Sequence, residues 1–208
     1  MFDWYERVVL PRVINIACSG ESTVRQRQKV VPLATGRILE IGLGSGKNLA
    51  HYDPNRVEKF WGLDPSKELL AMAAPAVAAV PFAVELLHAG GEQIPLEDNS
   101  CDTVLSTYTL CSIPNLELAL KEIGRVLKPG GQFLFCEHGA SPDKGVRWWQ
   151  DQLTPVWSTF GGGCHLNREI PHLLEAAGFK LGWVEQMYIP GWRFATFNYW
   201  GSASCTPL

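Results

Sequence analysis

Apolar residues along this chain fall into two patterns. Short runs at 37–41, 57–63, 82–88, 101–107 and 132–136 have the length and the β-branched or aromatic content of buried strands. Between them, apolar positions recur at helical intervals, as in Leu118, Leu120, Ile123, Val126 and Leu127. That stripe predicts a helix over 117–127, stopped by Lys128-Pro129-Gly130-Gly131. Two helices are expected ahead of the first strand: Tyr5 to Ala17, limited or kinked at Pro11, and a polar one from Glu21 to Leu33. Asn48 to Tyr52 opens a further helix, and Ser66 caps an alanine-rich one bent at Pro75 and closed by Pro81. A helical region over 144–177 breaks at Gly161-Gly162-Gly163, and 179–189 and 193–200 read as two last strands. This alternation predicts an α/β fold: a single doubly wound domain with a mainly parallel, seven-stranded sheet. The closing pair would place an antiparallel strand at one edge. Residues 1–34 read as a helical lid on a domain over 35–208, with an insertion at about 139–178.

The chemistry starts where the first strand ends. Residues 38–46 read Ile-Leu-Glu-Ile-Gly-Leu-Gly-Ser-Gly, an acid followed by glycines at 42, 44 and 46. Glycine permits positive φ and close approach of a ligand to the backbone. Dinucleotide dehydrogenases favour G-x-G-x-x-G; here the third glycine is misplaced for that pattern, and E-x-G-x-G-x-G is similar to the loop of S-adenosylmethionine (SAM) methyltransferases. The second strand ends at Asp64, before Pro65 and Ser66. A carboxylate there can accept both ribose hydroxyls of an adenosine, or can cap the next helix.

Composition narrows the classes. With 208 residues, 46% of them hydrophobic, the chain can bury a full core. A net charge of −3 with scattered basic residues argues against a nucleic-acid partner. No run of 18 apolar residues is present, so no membrane span is expected. The opening residues lack a basic region followed by an apolar one, which argues for a cytoplasmic, reduced protein. The six cysteines show no metal-ligand spacing, and no metal is expected. No feature sets an oligomeric state.

Taken together, Leu-Glu-Ile-Gly-Leu-Gly-Ser-Gly, Gly-Leu-Asp-Pro-Ser, Ile-Pro-Leu-Glu-Asp-Asn-Ser-Cys-Asp-Thr-Val and Arg-Val-Leu-Lys-Pro-Gly-Gly resemble, over about residues 35–140, the class I SAM-dependent methyltransferases with their Rossmann-like fold. The resemblance implies SAM as cofactor, S-adenosylhomocysteine as product, and cofactor contacts at Glu40, Gly42, Gly44, Gly46, Asp64, Pro65, Gly91, Glu92, Gln93 and Thr107. Many members place an Asp after strand three to meet adenine; Gly90 stands there, which leaves Glu92, Gln93 or backbone groups. A narrower similarity, to the microsomal thiol S-methyltransferases, rests on Thr109-Leu-Cys-Ser-Ile-Pro-Asn115, Phe135-Cys-Glu-His138, 149–157 and Gly163-Cys-His-Leu-Asn-Arg-Glu169. It implies a small-molecule acceptor, a thiol or sulfide first. The membrane anchor of those relatives is not seen ahead of the domain here. A phospholipid or small-amine N-methyltransferase is the alternative, and a non-catalytic SAM-binding protein a third reading.

Among acceptor-side residues, His138 directly follows strand five and can take the acceptor's proton, position the acceptor, or donate to a loop carbonyl. Cys111, just past strand four, is either a site residue or wall packing. Cys164 and His165 form a paper dyad, but adjacent side chains seldom face one another; one of them facing the pocket is the alternative. Asn167 reads as an N-cap, and Arg168 as an anion binder or a surface ion pair. Trp149 and Trp157 are candidate acceptor contacts or plain core, and Trp4 and Tyr5 belong to the lid or to packing.

Overall fold

Ile38, Leu39 and Ile41 are buried in strand β1 (Gly36–Ile41), as a sheet covered on both faces requires. The computed structural model, which describes Tyr5 and residues 9–205, continues with β2 (Val57–Asp64), β3 (Val84–His88), β4 (Cys101–Thr107), β5 (Leu127–His138), β6 (Phe179–Tyr188) and β7 (Phe197–Cys205). They form one sheet in the order β3-β2-β1-β4-β5-β7-β6. The pairs from β3 through β5 are parallel, whereas β7 runs antiparallel to both β5 and β6. The antiparallel strand is therefore internal, and β6 takes the edge. Phe197 to Gly201 fill that slot and are buried, so strand seven runs later than the expected 193–200.

The helices are α1 (Leu10–Ala17), α2 (Glu21–Arg27), α3 (Lys67–Met72), α4 (Ala74–Ala79), α5 (Leu116–Val126), α6 (Lys144–Phe160) and α7 (Ile170–Ala176). Leu116, Ala119, Leu120 and Ile123 of α5 join Ile170 and Leu174 of α7 in one core against the sheet. Val30, Val31, Leu49, Leu70 and Ala73 belong to a second core with Ile38, Phe60 and Leu134.

Three helix expectations change. The helix expected from Glu21 stops at Arg27 and is followed by a 3₁₀ turn at Val31–Leu33, where Pro32 lacks an N–H. No long helix follows the glycine loop: Leu49–His51 and Pro54–Arg56 are 3₁₀ turns. Pro54 cannot extend a helix, and the Asn48 amide is bonded instead to Glu40 and Thr107. The cap of α7 is Glu169, not Asn167, whose amide donates to Asp151 at 2.8 Å. Trp4 lies outside the described residues.

The order places the topological switch between β1 and β4. In such sheets the crevice beyond the strands' carboxyl ends takes the ligand.

Candidate active site

A cavity of about 460 Å³ opens at that switch, within the range of small-molecule sites. Glu40, Gly42, Gly44, Asp64, Pro65, Gly91, Glu92 and Thr107 line it, together with Gly90. Gly46 and Gln93 do not. A Cβ on Gly46 would meet Ala76 and Leu49 at 3.0 Å, so that glycine serves packing of the loop on α4; Gln93 is exposed.

The loop geometry explains the two glycines that do face the cavity. Gly42 has φ of 72°, and a Cβ there would lie 2.1 Å from Thr109 Oγ1. Gly44, at φ 57°, has only the Gly42 carbonyl within 4.0 Å of its would-be Cβ. Its backbone is bare toward the cavity. Asp64 is 5% exposed. Its Oδ2 accepts from the Gly44 N–H and its Oδ1 from the Ser66 N–H, both at 2.8 Å. Each oxygen keeps a lone pair for a further donor. Burial raises its pKa, and the two backbone bonds pull the other way. Capping of α3 falls to Ser66, whose Oγ accepts from Leu69 N.

Glu40 is spent internally. Its Oε1 accepts from the Asn48 amide at 2.9 Å and its Oε2 from the Tyr52 hydroxyl at 2.7 Å. Burial pushes its pKa up to about 7. Two wall residues went unread in the sequence. Arg27 is buried, donating to the Cys18 carbonyl and to Thr107 Oγ1; it has no carboxylate partner among the described residues. Asn48 Oδ1 is buried with no partner among the described residues. Only their position in space, in a helix ahead of the domain and a 3₁₀ turn, brings them to the wall.

Beside Ser112 and Gly162 of the wall, three distant residues converge. His138 Nε2 lies 3.1 Å from Cys164 Sγ, and the ligand atoms of Cys111, His138 and Cys164 all fall within 4.8 Å of one another. The hydrogen bond from Cys164 draws the Cys111 thiol well below its usual range, against its burial and with help from His138. Cys164 is pushed up correspondingly. Burial works against charge on His138, but the Cys111 thiolate outweighs it and raises the imidazole. So the partner of Cys164 is His138, not His165. The His165 ring faces the Gly163 carbonyl at 2.7 Å, and its backbone N–H donates to Cys111 O. Arg168 donates to the carbonyls of Leu110 and Ile113, and so makes neither an anion site nor a surface ion pair.

Neither tryptophan lines the cavity. Trp149 is 55% exposed and meets Trp148 edge-on at 4.8 Å. Trp157 is half-buried against Phe194 at 6.0 Å. The Tyr5 hydroxyl donates to the Phe160 carbonyl at 2.8 Å, tying the N-terminal segment to the end of α6.

Comparison with known proteins fixes the family. The sequence model of the methyltransferase domain matches residues 39–135. Thiol S-methyltransferase TMT1A of Homo sapiens is 32% identical over 171 residues, covering 80% of this chain and 69% of that protein. This chain belongs to the SAM-dependent methyltransferases. Phosphatidylethanolamine N-methyltransferase of Cereibacter sphaeroides is 32% identical over 128 residues, 61% of this chain and 62% of that one. A solved Thermotoga maritima SAM-dependent methyltransferase, described as a possible histamine N-methyltransferase, superposes with a TM-score of 0.63 at 20% identity, covering 99% and 94% of the two chains. That likeness concerns the fold.

SAM is the cofactor of this methyltransferase, and the wall suits it. Asp64 keeps one lone pair on each oxygen, which suits a diol donor. Asn48 Oδ1 and the Arg27 cation, which has no carboxylate partner among the described residues, suit the charged groups of an amino-acid tail. Among the described residues, no helix is long and apolar enough to cross a membrane.

Proposed function

We propose that this methyltransferase methylates the sulfur of a small thiol or of sulfide. The observation that carries the reading is the 32% identity to a thiol S-methyltransferase over 80% of the chain. Bound in the cavity, SAM supplies an electrophilic methyl group on a sulfonium. Asp64 then takes the ribose hydroxyls, Arg27 the methionine carboxylate and Asn48 Oδ1 its ammonium. Gly44 presents bare backbone, Gly42 makes room for Thr109, Gly91 and Glu92 flank the adenine, and Pro65 and Thr107 complete the wall. Helices α1 and α2 and the turn between them, which contribute Leu10, Asn15, Cys18 and Arg27 to the cavity, serve as its lid.

The acceptor approaches from the side of Ser112 and Gly162. An attacking thiolate, the methyl carbon and the leaving sulfur must be collinear, and such alignment is worth about 7–11 kcal/mol. A free thiol has a pKa of about 8.5, so in the metal-free site His138 needs only to hold or take one proton. Cys111 and Cys164 set the charge around that imidazole, and Trp157 backs the turn that carries Cys164.

The second reading is N-methylation of a phospholipid or small amine, favoured by the relative from Cereibacter sphaeroides. One panel separates them: sulfide, alkyl thiols, phosphatidylethanolamine vesicles and small amines, each with SAM. Methyl transfer to thiols and not to amines is expected. Turnover confined to phosphatidylethanolamine or amines replaces the thiol reading.

A further inference from the structure

Cys111, His138 and Cys164 are spaced 27 and 26 residues apart in sequence, taking the difference of their positions, yet their ligand atoms share one small volume. We propose that they form a site for a thiophilic divalent cation, zinc first, with its fourth position left for a sulfur ligand.

The distances suit the ion. Zinc bonds of about 2.3 Å to sulfur and about 2.0 Å to nitrogen set tetrahedral edges of roughly 3.5–3.8 Å between ligand atoms. The three atoms lie within 4.8 Å of one another, and one pair is already at 3.1 Å. Closing the set needs shifts of about an ångström, which side-chain rotation supplies. The chemistry suits it too. Two thiolates and an imidazole select zinc over magnesium or calcium. Two thiolates also balance a divalent charge, which lowers the cost of placing the ion in a half-buried site.

The scaffold is built to hold these three groups. His138 ends β5 and is paired with Asn198 of β7. The loop carrying Cys111 and the turn carrying Cys164 are clamped by the His165 N–H on the Cys111 carbonyl at 2.8 Å. Arg168 holds the carbonyls on either side, those of Leu110 and Ile113. A Cβ on Gly163, at φ 81°, would press on the Ser112 carbonyl at 3.1 Å, so glycine lets the two segments touch. Three protein ligands are the pattern of zinc sites that keep an exchangeable position. Ser112 and Gly162, one and two residues from the two cysteines, belong to the cavity wall. Acceptor sulfur reaching the fourth position from there is the part that rests on the thiol reading.

The test uses the full chain, reduced and stripped of metal, titrated with Co²⁺ and then Zn²⁺ in the absence of SAM and acceptor. We expect a single equivalent, an intense visible band from tetrahedral cobalt with thiolate charge transfer, and its displacement by zinc. X-ray absorption on the zinc form should count two sulfurs and one imidazole nitrogen from the wild type alone, whether or not variants fold. Cys111→Ser, Cys164→Ser and His138→Ala should each lose the band, and Cys205→Ala should keep it. No uptake by wild type, or a band that survives both serine variants, overturns the site. So does a Cys111–Cys164 disulfide whose reduction leaves the chain unable to bind zinc. An alkyl thiol should shift the cobalt band; an unmoved band overturns the open position. A failed titration leaves S-methylation standing, and thiols inert in turnover leave the metal site standing.

Discussion

The two flanks of the switch point are built in different ways. On the β1–β2 flank, each carboxylate is satisfied by near neighbours in sequence. Asp64 bonds residues 20 and 2 positions away, and Glu40 bonds residues 8 and 12 away. On the β4–β5 flank the contacts are long-range. His138 reaches Cys164 across 26 residues, and Arg168 reaches Leu110 and Ile113 across 58 and 55. The first flank is a cradle that one contiguous loop can specify. The second exists only after β5, α6 and the turn before α7 have all docked. A cofactor shared by many enzymes suits the first construction, and an acceptor site that changes from enzyme to enzyme suits the second.

The largest expected effect breaks the cradle. Asp64→Ala should weaken SAM binding on the order of 1000-fold, since two hydrogen bonds to a charged acceptor are each worth about 1.5–3 kcal/mol. Asp64→Asn, which keeps one acceptor, should fall between. Calorimetric titration reads both, with circular dichroism to show the fold intact. An unchanged dissociation constant removes Asp64 from the ribose role.

The other flank should respond in the opposite sense. His138→Ala should lower kcat on the order of 100-fold, the scale of a lost proton-handling group in the metal-free site, while SAM affinity moves less than threefold. If both quantities fall together, the flanks are not separable. Wild-type rates make His138 scaffolding.

That separation also explains what the sequence made legible. The glycine loop, the acid ending β2 and the parallel strands were readable, because each is a local pattern whose physical cause lies within a few residues. The short turns after the loop were not: Asn48 keeps helical dihedrals but commits its side chain to Glu40 and Thr107, a tertiary choice. Strand β7 was misplaced, since its slot between β5 and β6 is a matter of topology rather than periodicity. The sequence argued against pairing Cys164 with His165, since successive side chains diverge, but it could not show that His138 arrives from another strand to take that place. Arg27 gave no signal, its lack of a carboxylate partner among the described residues being visible only in three dimensions.

A smaller effect reports on the β4–β5 flank through pH. Glu137 is fully buried, and Ser106 Oγ and Thr109 N donate to its Oε1. Burial pushes its pKa up to about 8, with the Cys111 thiolate adding to the rise. The folded protein thus keeps a proton that the unfolded chain releases above about 4.3. That stability is fully present below the unfolded value and is lost as pH rises through about 8. Melting temperature should fall by roughly 5–10 °C between pH 6 and 9, and Glu137→Gln, which cannot ionise, should flatten much of that slope. A slope unchanged in the variant assigns the loss elsewhere.

The smallest expected effect lies back in the cradle. Tyr52→Phe removes the hydroxyl that donates to Glu40 Oε2 at 2.7 Å and leaves the ring packed edge-on against Phe60 at 4.9 Å. Shape is kept, so the loss is one buried hydrogen bond, about 1 kcal/mol or a little more because the acceptor is a buried carboxyl. In a chain of this size that is roughly 2–4 °C in melting temperature. Without its donor, Glu40 should titrate higher still, so the deficit should grow as pH rises above about 7. The Asn48 bond to Oε1 survives, so SAM affinity should drop less than the Asp64 variants show. The cobalt band of the cysteine–histidine cluster should not move at all. A Tyr52 variant that disturbed that band would show the two flanks to be one coupled unit.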